Sequence, residues 1–252
     1  MLPDMLPEGD YVSPNFSIIL PDKAFPNVIT VADASFFAWD YWRKGIYHNV
    51  YVDKRWQNMG LVNRDEAHIL YNSALQFKGK HVLEIGCWVG WSACHLALAG
   101  VKLDVVDPLL AKPEFYNSVY DSLKTEKVVN EVNLVAGNSP QEVEILGTQF
   151  QRPWSLIFID GNHDAPAPLD DAIVCERWAA EDAIILFHDL MSPEVAQGLD
   201  YLKQKGWNTI VYQTRQIVGA AWRGNVQPVK HQPDPKVNWY LPPHLESYTV
   251  SC

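Results

Sequence analysis

Two short stretches of this 252-residue chain bring together side chains able to hold a cation or move a proton. Ile159-Asp160-Gly161-Asn162-His163-Asp164 ends one strand-like run, and Phe187-His188-Asp189-Leu190 ends another. If the two runs are neighbours in a parallel sheet, Asp160, His188 and Asp189 converge on one cation. His163, three residues past Asp160, then faces the same cleft. A neutral imidazole with an unperturbed pKa of about 6.5 suits proton transfer at neutral pH. Taken singly, an Asp at a strand end is often only a helix cap or turn former, so the grouping carries the expectation.

A third stretch, Glu84-Ile-Gly86-Cys-Trp88-Val-Gly90, follows a strand and opens a helix, and Asp107 ends the next strand. Glycines at 86 and 90 let the chain turn tightly and let a ligand approach the main chain. The helix N-terminus beyond favours a negative group, and Asp107 can accept hydrogen bonds from both hydroxyls of a ribose. A dinucleotide asks for G-x-G-x-x-G, whose third glycine brings helix and strand together over a pyrophosphate. The spacing here is G-x-x-x-G. S-adenosylmethionine, which has no phosphate, asks only for close approach and an acid near the ribose. Trp88 and Trp91 flank the loop, so one of them is expected to touch such a cofactor.

The elements that must position these residues are readable from periodicity. Strands are expected at 80–86, 102–107, 132–136, 154–160 and 183–187, with helices at 91–99, 114–127, 167–180 and 193–205 between and after them. A further helix opens at Ser139-Pro140, with Glu142 three after the serine as a capping signal. Two last strands, 207–213 and 216–223, are expected to form an antiparallel edge pair. Short apolar runs separated by amphipathic helices imply a parallel sheet covered on both faces, and ligands of such sheets bind outside the carboxyl ends of the strands. Nearly every polar oddity of the chain falls at one of those ends.

On Val82-Leu-Glu-Ile-Gly-Cys-Trp-Val-Gly90 and Val105-Val-Asp107-Pro, the chain resembles the class I S-adenosylmethionine-dependent methyltransferases over about 80–223. The resemblance implies an α/β, Rossmann-like, doubly wound and mostly parallel seven-stranded sheet with an antiparallel last strand. It also implies that Glu84, Gly86 and Gly90 line the methionine part of the cofactor and that Asp107 holds the ribose, with Asn138 or Ser139 near the adenine. The strand-four and strand-five ends are similar to those of metal-dependent small-molecule O-methyltransferases of the macrocin and mycinamicin type, with catechol O-methyltransferase a more distant parallel. That likeness implies a divalent ion, usually magnesium, on Asp160, His188 and Asp189, with His163 as general base. The first member of the adjacent pair departs from the pattern: His188 stands where the relatives carry an acid, and an imidazole suits manganese, iron or zinc better than magnesium.

The remaining composition narrows the classes. A formal charge of −10 without a Lys/Arg cluster excludes nucleic acid and anionic membranes as main partners. The first residues lack the basic and apolar regions of a secretory signal, and the longest apolar runs are strand-length. Cys87, Cys94 and Cys175 fall in apolar segments as reduced packing residues, and no cysteine pair has C-x-x-C spacing. The cytoplasm is the default location. Residues 1–78 form an N-terminal extension or cap, 79–224 the main domain and 225–252 a Pro-rich extended tail. The extension is aromatic-rich, including Phe36, Phe37, Trp39, Tyr41, Trp42, Tyr47, Tyr51 and Trp56, and ends in a helix at about 64–77. Asn63 would be its N-cap, with Glu66 three residues on and Gly79 as a stop. These aromatics either cap the cleft or form ordinary core. Arg215 and Arg223 are candidate substrate or subunit contacts. The reading that follows is methyl transfer to a hydroxyl of a small molecule such as a sugar, polyol or natural product, with homo-oligomerisation left open. A nicotinamide-dependent oxidoreductase and a non-catalytic cofactor-binding partner protein are the alternatives.

Overall fold

Apolar runs bounded by amphipathic segments fold here as strands covered by helices on both sides. The computed structural model describes residues 6–31, 41–43 and 45–251. Three short strands come first, β1 (Val28–Val31), β2 (Val50–Asp53) and β3 (Gly60–Leu61), paired antiparallel in the order β1-β2-β3. Helix α1 (Arg64–Leu75) leads into β4 (His81–Ile85), α2 (Trp91–Leu98), β5 (Lys102–Val106), α3 (Pro113–Thr125) and β6 (Val132–Val135). The chain then crosses back through α4 (Gln141–Phe150) to β7 (Trp154–Ile159), α5 (Ala167–Trp178), β8 (Ala179–Phe187), α6 (Pro193–Gln204), β9 (Asn208–Tyr212) and β10 (Val218–Arg223).

The second sheet has the order β6-β5-β4-β7-β8-β10-β9. Its strands from β6 to β8 pair in parallel, while β10 runs antiparallel to both β8 and β9. The expected last pair is present, but β10 inserts beside β8 and leaves β9 at the edge. Successive residues of β7 feed different cores. Leu156 and Phe158 pack with α1, α2 and α3, whereas Ile157 and Ile159 pack with α4, α5 and α6. This is the two-sided burial of a doubly wound sheet. The chain winds one way from β4 and the other way from β7, so the switch point lies where those two strands end side by side.

Local chemistry explains the boundaries. The Asn63 side chain accepts from the Glu66 amide at 2.9 Å, and the Asn63 amide donates to Glu66 Oε2 at 2.8 Å, the reciprocal pair expected at the start of α1. The expected Ser139 cap on α4 does not form: no side chain caps this helix, and the Ser139 hydroxyl instead donates to Asp171 Oδ1 at 2.5 Å. The hydroxyl is turned to a buried carboxylate, and its oxygen accepts from no amide of the helix.

The extension is more than helical, since it contributes the small antiparallel sheet, whose four-residue β1 and β2 and two-residue β3 are too short to show period-two patterning. Phe25, Tyr51 and Val62 pack in the same core as β4 and β7. Phe36, Phe37, Trp39 and Cys252 lie outside the described residues. The segment after β10 carries a short 3₁₀ turn at Pro243–Leu245 and closes on the sheet: Val250 bridges Val211 of β9 in parallel, with Val211 N–H donating to Thr249 O at 2.9 Å. Among the described residues no helix is long and apolar enough to cross a membrane. Cys87, Cys94 and Cys175 are buried free thiols.

Candidate active site

A cavity of about 590 Å³ opens outside the carboxyl ends of β4, β5, β7 and β8, within the size range of small-molecule sites. Gly86 and Gly90 form its glycine loop, with φ of +83° and +85°. A Cβ on Gly86 would stand 2.1 Å from the Asp160 carbonyl oxygen, and one on Gly90 would stand 2.9 Å from the Val119 side chain. The glycines therefore make room for protein: the first lets the β4 loop touch the end of β7, and the second lets α2 pack on α3.

Asp107 holds this loop from the next strand. Its Oδ2 accepts from the Cys87 and Trp88 amides at 2.8 and 2.9 Å, and its Oδ1 accepts from the Leu109 amide at 2.8 Å. One carboxylate thus satisfies three backbone donors and fixes Trp88 at φ +48°, a left-handed conformation costly for a bulky residue. Trp88 lies against Phe115, with ring centroids 5.1 Å apart, and meets Trp56 edge-on at 5.8 Å. Asp107 keeps lone pairs beyond these three bonds, so a ribose hydroxyl can still be accepted, though with less capacity than a free carboxylate would offer.

The opposite end is charged. Among the described residues, Asp160, His163 and Asp189 offer one ligand atom each within 4.8 Å of one another. His163 Nε2 lies 3.5 Å from both Asp160 Oδ1 and Asp189 Oδ2, and its Nδ1 is 2.9 Å from the Tyr41 hydroxyl. Asp189 sits at φ +57°, a conformation Asp tolerates better than most residues.

His188 departs from the expected ligand set. Its Nδ1 is 2.9 Å from Asp189 Oδ2 and 3.3 Å from Asp160 Oδ1, while its Nε2 lies 3.2 Å from Glu66 Oε2. Burial disfavours its charged form, but Asp189, Asp160 and Glu66 outweigh burial and hold the imidazole well above its ordinary range. His188 lies behind the acids, and three carboxylates flank the nitrogens it would use as a ligand.

Two further groups complete the network. Glu66 Oε1 accepts from the Gln216 amide at 2.8 Å, and the Gln216 side chain donates to Asp189 Oδ1 at 2.7 Å. Burial alone would raise the Asp189 and Glu66 carboxyls, yet His188 keeps both below their usual range. For His163, burial lowers the pKa but Asp189 and Asp160 prevail, leaving it raised.

Gly86, Trp88, Asp107, Asn138, Ser139, Asp160, His163, His188 and Asp189 all face the cavity. Glu84 and Gly90 are not on its wall. Glu84 is fully buried, and burial, opposed by the Ser92 hydroxyl and reinforced by the charges of Asp160 and Asp107, holds its carboxyl well above the usual range. Glu66, Asp171 and Gln216 line the cavity without having been expected there. Glu66 had a visible signal, the capping box, but that signal explains it as a cap. The aromatics divide between core and cavity: Tyr51 is 2% exposed and stacks on Trp91, Trp42 lines the cavity, and Tyr47 is 55% exposed.

Residues 83–190 match the family model of a methyltransferase domain. No curated protein matches the chain. Among solved structures, it is similar to the O-methyltransferase TomG from Streptomyces achromogenes, involved in tomaymycin synthesis and bound to SAM. That likeness has 17% identity and a TM-score of 0.55, covering 65% of this chain and 82% of that one. It is also similar to an O-methyltransferase from Bacillus cereus in complex with SAH, at 12% identity and a TM-score of 0.55, covering 65% and 83%. The SAH-bound methyltransferase PaMTH1 from Podospora anserina matches at 16% identity and a TM-score of 0.51, covering 65% and 80%. At these identities the likeness shows the fold; the matched model shows a methyltransferase domain.

Proposed function

We propose that this methyltransferase domain uses S-adenosylmethionine to methylate a hydroxyl of a small molecule, with a His base and assistance from a divalent cation. The observation that carries the proposal is that the glycine loop, Asp107 and the Asp160/His163/Asp189 group open onto one cavity. The cofactor-bound O-methyltransferases of like fold support it. A nicotinamide cofactor is disfavoured, because the Gly86–Gly90 loop lacks the third glycine and Asp107 already takes up its amides.

In the reaction the acceptor oxygen attacks the methyl carbon, the new O–C bond forms as the S–C bond breaks, and the electron pair of the broken bond neutralises the sulfonium. S-adenosylhomocysteine, the methyl ether and one proton result. The sulfonium already activates the methyl group, so the protein must align the two reactants and accept the proton. Asp107 and the main chain at Gly86 position the nucleoside and methionine. His163 Nε2 takes the hydroxyl proton, and Asp160 and Asp189 beside it stabilise the imidazolium so formed. The Tyr41 hydroxyl on Nδ1 fixes the ring orientation.

The two carboxylates fit a divalent ion, magnesium included, and offer their oxygens within 4.8 Å of the His163 imidazole. Asp160 and Asp189 would hold it, with His163 Nε2 kept as the base, and His188 would orient the carboxylates from behind. Such an ion would supply Lewis acidity at the acceptor hydroxyl. Calorimetry with S-adenosylmethionine tests the first part, and no binding at millimolar cofactor would sink it. Assay of EDTA-treated protein tests the second: full activity without metal removes the ion and leaves His163 alone as the base.

A further inference from the structure

Two buried guanidiniums flank the charged end without a carboxylate of their own. Arg43 and Arg215 are 1% and 4% exposed, and among the described residues neither forms an ion pair. Arg43 bonds to Thr214 O at 2.8 Å, to Gln213 Oε1 at 3.3 Å and to Tyr240 O. Arg215 Nη1 donates to Arg43 O at 3.3 Å, and its Nη2 donates to Ile46 O and to His48 O. The Nε of each is buried and has no acceptor among the described residues. Buried cations without an anion are unfavourable and rare, so two side by side point to a charge that arrives from outside.

Arg215 has access to that charge. Among the described residues it is the only lysine or arginine lining the cavity, and Gln216, which bonds to Asp189, follows it in the chain. Arg43 lies behind and adds positive potential. Glu66 is the carboxylate that acts on both guanidiniums, and it already faces His188 at 3.2 Å. Burial presses the Arg215 pKa down to about 10, still charged at neutral pH.

We propose that the acceptor carries a carboxylate beside its hydroxyl, and that the Arg215 guanidinium on the cavity wall selects hydroxy acids over neutral alcohols. This deepens the methyltransferase reading and rests on it for the role of the hydroxyl. Three of its five N–H groups are held by main-chain carbonyls, which keeps the fork from rotating away and leaves two N–H groups for a carboxylate. A charge-assisted bond in a desolvated site separates an acid from its uncharged isostere by an order of magnitude or more.

The test compares hydroxy acids with their primary amides, which keep shape and hydroxyls but lose the charge. Protocatechuate, mandelate and gluconate are each titrated calorimetrically against their amides, on full-length protein with and without S-adenosylhomocysteine. At least one acid is expected to bind ten times more tightly than its amide. Arg215→Gln should bring that ratio near one, and Arg215→Lys should keep part of it. Equal binding of acids and amides, no binding by any acid, or a ratio unchanged in Arg215→Gln would overturn the proposal. If Arg215→Gln fails to fold by its melting curve, Arg215→Lys decides, and a ratio that falls less than threefold is the adverse result. Failure of S-adenosylhomocysteine to bind the wild-type protein would sink the methyltransferase reading instead, while an acid preference measured without it would leave the Arg215 site standing.

Discussion

The two ends of the cavity use the same residue type in opposite ways. At the cofactor end, Asp107 spends its carboxylate on three backbone amides from the glycine loop and the turn after β5. At the charged end, Asp160 and Asp189 face imidazoles, and Asp189 also takes the Gln216 side chain, so the partners come from the β7 and β8 ends and the segment before β10. The first arrangement is fixed by hydrogen bonds to neutral dipoles and shapes a loop. The second is held by mutually shifted charges and can exchange protons or a cation. Substitutions that affect one end and spare the other are therefore the sharpest probes of the site.

The largest separation is expected from His163→Ala. It should lower turnover by about 10²–10⁴-fold, the usual worth of a general base, while S-adenosylmethionine affinity stays within a few-fold by calorimetry. Equal losses in both would mean that the ends are not independent.

Asp107→Ala is the mirror experiment. It leaves three loop amides without their acceptor, each costing about 1–3 kcal/mol where buried. Chemical denaturation should show a clear loss of stability, and cofactor affinity should fall more than tenfold. Manganese binding to the charged end, followed by calorimetry, should persist; its disappearance would break the contrast.

A smaller effect is expected at Asp171, where burial raises the carboxyl from 3.8 to about 6 despite the Ser139 hydroxyl. Because the folded state holds this proton more tightly than the unfolded chain, its ionisation opposes folding as pH rises from about 4 to 6. Asp171→Asn should stabilise the protein at pH 7 by about 1–3 kcal/mol, as two pKa units imply. In urea titrations the gain should vanish below pH 4; a gain that persists there would have another origin.

The smallest effect concerns His188, whose folded pKa is raised by Asp189, Asp160 and Glu66 against burial. Its contribution to stability is fully present below about pH 6.5 and is lost as pH climbs through the raised folded value. Glu66→Gln removes one of the three carboxylates. Metal-free wild type should lose stability with rising pH more steeply than the variant, and parallel curves would show that Glu66 does not hold the proton there.

The readable parts of the molecule are those whose causes lie within a few residues. The Asn63/Glu66 capping box, the strand ends at Asp107, Asp160 and Asp189, and the paired last strands follow from local pattern and are where expected. What was not readable depends on who arrives from elsewhere in the chain. Ser139 has the sequence of a cap, but Asp171, thirty-two residues on, takes its hydroxyl. His188 has the position of a ligand, but Glu66 and the two aspartates surround it. Asp107 has the position of a ribose acceptor, and it also anchors the glycine loop. In each case the residue was visible and its partner was not.

The near-contact at Gly86 has a mechanical consequence. The space its side chain would fill belongs to the Asp160 carbonyl, so the glycine loop and the end of β7 share a common stop. Their spacing is gauged by main chain against main chain, with no rotamer in between to add slack. In the proposed reaction donor and acceptor would thus be registered to one datum, and any residue larger than glycine at position 86 would reset the gap across which the methyl group would travel.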